Sequence, residues 1–191
     1  MPAELGVMCE KMKTKNIPFD QHIYHDIDDE DEALKYKEIA MPLIGAIVLY
    51  FNGLEKELDS IICEIFTDRS DSTGLIVLHR MNYSTKVELF KRFNDDLFAN
   101  VDFKVNGYSE LLNILKESGR LRNLVVHADW ENTDDDGYTY VKLNIKKNKM
   151  SQEYIQFSED SLIQIIGLII GARGDLDKFW ETRNDKLHGR A

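Results

Sequence analysis

The sequence predicts a mainly α-helical fold with a β-hairpin inserted before the last helix. Three observations carry that prediction. Apolar residues recur at three- and four-residue spacings over several long stretches, most cleanly from Leu43 to Phe66. The period drops to two after the turn-forming run Asp134-Asp135-Asp136-Gly137. A helical apolar pattern then resumes from about Asp160 to Thr182.

Taken in order, residues 1–32 hold Pro2 and Pro18 and end in Asp26, Asp28, Asp29, Glu30, Asp31 and Glu32. Such a charge run cannot bury itself, so the segment reads as a flexible acidic arm that also favours the N-terminus of the helix behind it. His22 and His25 beside Asp26 give a metal reading, and the solvated-linker reading is preferred to it. From Leu43 onward Ile47, Tyr50, Phe51, Leu54, Leu58, Ile61, Ile62 and Ile65 form one narrow helical stripe. A shorter helix is expected over Thr73–Met81, then one over Ser84–Leu97, with Ser84 or Thr85 as its cap. Asn106-Gly107 marks a break before a helix from about Ser109 to Val126.

In the hairpin, at about 137–157, Val141, Leu143 and Ile145 are expected on one face and Tyr138, Tyr140, Lys142 and Asn144 on the other. Its lysines Lys142, Lys146, Lys147 and Lys149 are the densest positive patch of the chain. The last helix is apolar nearly all round at Leu162–Ile170, which predicts a central position, and Gly167 and Gly171 would admit a close neighbour. Residues 183–191 read as a polar tail that frays.

At 191 residues and 43% hydrophobic content the chain suits one core, a helical domain over 33–182. A net charge of −10 opposes indiscriminate nucleic-acid binding, so any RNA contact must be local. Cys9 and Cys63 lack the spacing of a zinc site or a disulfide framework, which suits a reducing compartment. Leu162–Ala172, broken by Gln164, falls short of the roughly 20 residues of a membrane span. A cytoplasmic location without membrane contact is therefore expected.

Chemistry concentrates near the end of the fourth helical stretch. Advancing 100° per residue places Arg122 at the centre of the arc formed by Leu111, Leu115, Leu121, Val125 and Val126. A cation there needs a carboxylate, a backbone acceptor or a phosphate, and Glu55 at the edge of the first stripe is the candidate carboxylate. Asn123 and His127 lie four apart on one face, so Arg122 must reach sideways to work with His127.

Arg122-Asn123-Leu124-Val125-Val126-His127 resembles the HEPN superfamily signature, an Arg followed after four to six residues by His. Phe51-Asn52-Gly53-Leu54-Glu55 is similar to the Phe-Asn-x-Leu-Glu pattern in the first long helix of such proteins. Ser84-Thr85-Lys86-Val87-Glu88-Leu89-Phe90 resembles their middle helix, with its Lys in an apolar pattern. The resemblance spans about Ile44 to Trp130. It implies an up-and-down helical bundle, commonly a homodimer with two motifs facing one another, and a metal-independent endoribonuclease of toxin–antitoxin or phage-defence systems. In that role His127 exchanges protons with the RNA 2′-hydroxyl or the leaving oxygen, Arg122 holds the scissile phosphate, and Asn123 orients either group. An antitoxin or defence partner protein is implied alongside the RNA substrate. Some toxins of this kind carry a Tyr two positions after the His, where this chain has Asp129, so modification of such a Tyr is not carried over.

Two other readings of these residues stand beside the enzyme. In one, the cluster is structural, with His127 and Asn123 closing the helix against Trp130, and the domain is a silent interaction or regulatory module. In the other, the hairpin lysines bind RNA without cleaving it, while Tyr138, Tyr140 and Tyr154 serve mainly in cross-strand packing. No cofactor and no metal is called for. Asp134–Asp136 lacks the Glu that completes a calcium loop, and no phosphate-binding glycine loop, nucleophile elbow or HExxH motif occurs.

Overall fold

The computed structural model describes residues 12–20, 27–66, 72–147 and 149–189. His22, His25 and Asp26, the residues of the metal reading, lie outside the described residues. Among the described residues the protein is mainly helical, 66% helix, with a small four-stranded antiparallel sheet. Chain packing divides it into two compact units, one drawn from residues 1–47 and 123–166 and the other from 48–122 and 167–191.

The first unit is built on the sheet. Its strands are β1 (Thr14–Pro18), β2 (Asp129–Thr133), β3 (Tyr138–Lys146) and β4 (Lys149–Gln156), in the order β1-β4-β3-β2. The hairpin is β3 and β4, paired from Tyr138↔Gln156 to Lys146↔Lys149. Two strands were not expected. β1 comes from the segment read as a loose arm, and β2 follows directly on the motif helix. A bulge at Val141 breaks the predicted alternation of faces. Thr139 ends up fully buried, bonded to Thr133 Oγ1 at 3.0 Å, whereas Ile145 is 71% exposed.

Gly137 forms the β2–β3 turn with φ +81°, and a Cβ there would stand 2.3 Å from the ring of Tyr36. Both demands select glycine. Asp134 N donates to the Tyr138 carbonyl, the Asp134 carboxylate accepts from Tyr138 N at 2.7 Å, and Lys15 approaches the same carboxylate at 3.5 Å. One of the acids that crowd the sequence after His127 is thus committed to a turn. Tyr154, Phe157, Leu162 and Ile165 fill this unit's core, each such side chain contributing roughly 1.5–3 kcal/mol.

Helix α1 (Glu30–Phe66) runs through both units. It begins thirteen positions before the predicted start at Leu43, because Asp29 Oδ1 caps it by accepting from Asp31 N and Glu32 N. Glu30, Asp31 and Glu32, read as linker, are its first turn. Pro42 lies inside it and withdraws one donor from the helix ladder. By length and composition α1 also qualifies as a membrane span, with 22% of the apolar window buried, a test that soluble core helices pass too.

The second unit is helical. Leu54, Leu58, Ile61 and Ile62 of α1 are buried as the stripe predicts, while Tyr50 is 49% exposed. α2 (Ser72–Leu78) sets Gly74 so close that a Cβ would meet Cys63 Sγ at 2.6 Å. α3 (Tyr83–Asn100) is capped by Asn82, which accepts from Thr85 N, rather than by Ser84 or Thr85. α4 (Tyr108–Val126) follows the positive-φ Gly107.

α5 (Glu159–Leu187) departs from expectation twice. Ile163 and Ile170 are 49% and 47% exposed, and a Cβ on Gly167, Gly171 or Gly174 would meet nothing within 4 Å, so the helix buries one face only. Its end is ordered helix where a fraying tail was predicted. Arg183 is 8% exposed, stands 4.4 Å from the Trp180 ring and donates to Asn184 Oδ1, while Lys186 donates to the Lys104 carbonyl. Burial lowers the Arg183 pKa from its ordinary value.

Candidate functional site

Arg122, Asn123 and His127 fall on the last turns of α4. The His127 N–H donates to the Asn123 carbonyl at 3.0 Å, so the residue continues the helical pattern one step past the last assigned position. Trp130 Nε1 donates to the Val125 carbonyl at 2.9 Å, which satisfies one of the carbonyls a helix end leaves open. The Trp130 ring rests 5.2 Å from Phe157. Trp130 therefore secures the end of α4, while the side chains of Asn123 and His127 stay exposed. On an ideal helix the Cα atoms of Arg122 and His127 are separated by about 7.5 Å along the axis and about 140° around it.

Arg122 is half-buried, its guanidinium 5.3 Å from the ring centre of Phe51. That ring meets the Tyr83 ring at a tilt of 57°, centroids 4.6 Å apart, and the Tyr83 hydroxyl donates to the Leu115 carbonyl at 3.1 Å. Gly119 makes the arrangement possible, since a Cβ there would lie 2.8 Å from the Tyr83 ring. Burial, and then the charge of Glu55, push the Tyr83 phenol well above its ordinary pKa, so it stays neutral. Arg122 thus lies on an aromatic bed that exploits the flat guanidinium as lysine would not.

Glu55, expected to serve Arg122, is engaged by Lys86. Lys86 Nζ donates to Glu55 and to Asp59 at 2.8 Å each, and its side chain is 9% exposed. Burial pulls the ammonium down, and the hydrogen bonds and charges of Asp59 and Glu55 more than offset that, holding Lys86 above the ordinary lysine pKa. Glu55 and Asp59 are one turn apart on α1, so a single ammonium bridges two carboxylates that would otherwise repel.

Sequence reasoning missed Asp59, Tyr83 and Gly119, and gave Lys86 no role in the site. The signal for Lys86 was present, since a lysine flanked by Val87 and Phe90 on a buried arc raises the same question that Arg122 raised. Gly119 carries no such signal, because a close approach is visible only in three dimensions.

The hairpin lysines divide. Lys142 stands 3.5 Å from Glu153 across the strands, whereas Lys146, Lys147 and Lys149 are exposed and in no ion pair among the described residues. Tyr140 and Tyr154 meet edge to face at 5.7 Å, and Lys15 lies over Tyr138 at 5.3 Å, so all three tyrosines are engaged in packing. A cavity of about 480 Å³ lined by Asp95, Phe98, Lys104, Val105 and Tyr108 includes none of the predicted site residues. Among the described residues no group of three His, Cys, Asp or Glu is placed to hold a metal ion. Compared with known proteins, the chain matches no family model, no curated protein and no solved structure.

Proposed function

We propose that this protein is a HEPN-like, metal-independent endoribonuclease acting as a cytoplasmic homodimer in a toxin or phage-defence setting. The observation that carries the reading is the exposed His127 at the secured end of α4, five residues beyond an Arg122 held on the Phe51 ring. An imidazole with a reference pKa of about 6.5 exchanges protons near neutrality. As base, His127 takes the proton of an RNA 2′-hydroxyl, and that oxygen attacks the neighbouring phosphorus. The bond from phosphorus to the 5′-oxygen breaks, and an imidazolium, His127 of the same or a second copy, protonates the departing oxygen. The products are a 2′,3′-cyclic phosphate and a 5′-hydroxyl. Arg122 stabilises the charge on the phosphate, and Asn123 orients the reacting groups.

The test is cleavage of a mixed RNA pool in EDTA by wild type, His127→Ala and Arg122→Ala, all confirmed folded. General acid–base catalysis contributes about 10²–10⁴-fold, so His127→Ala should lose at least that factor. Cleavage retained in both variants, or none by wild type together with no growth defect on expression, overturns the reading. A second reading has its own observation in the fit of Arg122 on Phe51, itself packed against Tyr83, which suits a purely structural cation. In that case the domain is a silent interaction module, and Arg122→Ala lowers stability while no RNA is cut.

A further inference from the structure

The tip of the β3–β4 hairpin is the place in the first unit where the fold works against itself. Register sets Lys146 directly opposite Lys149, a like-charge pair that destabilises an antiparallel ladder, with Lys147 beside them. The preceding pair, Ile145↔Met150, is apolar and left 71% and 38% exposed. Lys142, by contrast, has its Glu153 and belongs to the sheet. Three exposed cations with no ion pair among the described residues, next to two uncovered apolar side chains, make a surface complementary to a polyanion with apolar faces.

We propose that this tip grips single-stranded RNA, with Lys146, Lys147 and Lys149 on successive phosphates and Ile145 and Met150 against bases. The choice of RNA rests on the ribonuclease reading; the demand for a polyanion does not. In an A-form duplex the base faces are stacked inside the helix, whereas a single strand can splay them out, so the apolar pair selects the single strand. In a chain of net charge −10, a local cationic tip fixes where the strand is held while the rest of the surface repels it.

The experiment measures binding of a labelled 2′-O-methyl RNA oligonucleotide across a salt series. That probe keeps the phosphates and bases but lacks the attacking hydroxyl, so the full-length protein binds it without cutting. Counterion release contributes about 0.7 to the salt slope per phosphate neutralised on a single strand, so Lys146→Ser/Lys147→Ser/Lys149→Ser should lower the slope by about 2 and weaken binding at least tenfold near physiological salt. Ile145→Ser/Met150→Ser should leave the slope unchanged and reduce the preference for single over double strands. The control is Lys56→Ser/Lys116→Ser/Lys178→Ser, three exposed lysines of the second unit.

Equal losses in both lysine triples would show only the overall field and would overturn the proposal. So would displacement of the oligonucleotide by polyglutamate of matched charge as readily as by RNA. An unchanged salt slope with aggregation of the hairpin triple would also overturn it, assigning the lysines to guarding a strand edge. The two readings fail separately. Cleavage that persists while the hairpin triple binds normally removes the grip alone, and lost binding by the triple in a protein that never cuts removes the nuclease alone.

Discussion

Replacing Lys86 with Met tests the electrostatic support of the Arg122 region. Lys86 donates to Glu55 and Asp59 at 2.8 Å each from a site 9% exposed, while the two carboxylates retain 29% and 25% of their exposure. Removing one partner of a fully buried pair costs about 3–5 kcal/mol because the charge left behind is uncompensated. Water reaches these carboxylates in part, so the expected loss is smaller, about 2–3 kcal/mol. For a chain of this length that is roughly a 5–10 °C fall in Tm. Urea denaturation should show a lower midpoint at unchanged m-value. Lys86→Met/Glu55→Leu/Asp59→Leu removes both sides of the interaction and should recover most of the loss. The sign with pH follows from the raised Lys86 pKa: its stabilisation is complete below the ordinary lysine value of 10.5 and is lost as pH rises through the higher folded value. A Lys86→Met loss under about 0.5 kcal/mol, or a triple variant no better than the single, would refute the reasoning, because it would place the cluster on the scale of an exposed pair.

Three further outcomes follow from the geometry. Gly137→Ala adds a methyl 2.3 Å from the Tyr36 ring at φ +81° and should unfold the sheet unit or cost more than about 3 kcal/mol; in a Tyr36→Ala background the added cost should shrink toward the roughly 1 kcal/mol of the backbone term, as read by urea midpoints. Burial, and then the charge of Asp134, raise the Tyr36 phenol to about 12, so its stabilisation is present below pH 10 and is lost between pH 10 and 12, which ultraviolet titration alongside circular dichroism measures against Tyr36→Phe. Gly171→Ala and Gly174→Ala fill open space on α5 and should each raise stability by up to about 1 kcal/mol; a loss would show that another surface packs on that face in solution.

Where the sequence was legible, a period fixed a face. Tyr50 apart, the stripe from Ile47 to Ile62 is buried as its spacing demands, and the hairpin follows from the change to period two after Gly137. Illegible were the elements whose stability comes from partners distant in sequence. β1 is Thr-Lys-Asn-Ile-Pro, with only Ile17 half-buried, and it is a strand because β4 offers an edge. The first turn of α1 looked like a linker because its acids are solvated, yet solvated acids at a helix start are stabilised by the backbone dipole. At the site, the cost of burying a cation correctly pointed to Arg122 needing company. The kind of company, an aromatic ring for Arg122 and two carboxylates for Lys86, depended on how α1, α3 and α4 are arranged in the second unit.

The pairing of β1 with β4 joins Thr14 to Ile155 and Pro18 to Ser151, spanning most of the chain. A contact of such sequence separation closes a very long loop, so it forms late and slows folding. During synthesis β1 leaves the ribosome long before its partner exists, and until β4 arrives the nascent sheet segment must wait with an open edge. Removing the residues through Pro18 would make that interval permanent. The backbone donors and acceptors of β4 would then face solvent on an uncovered border, and the shortened chain should associate edge to edge at concentrations where the full chain stays dispersed.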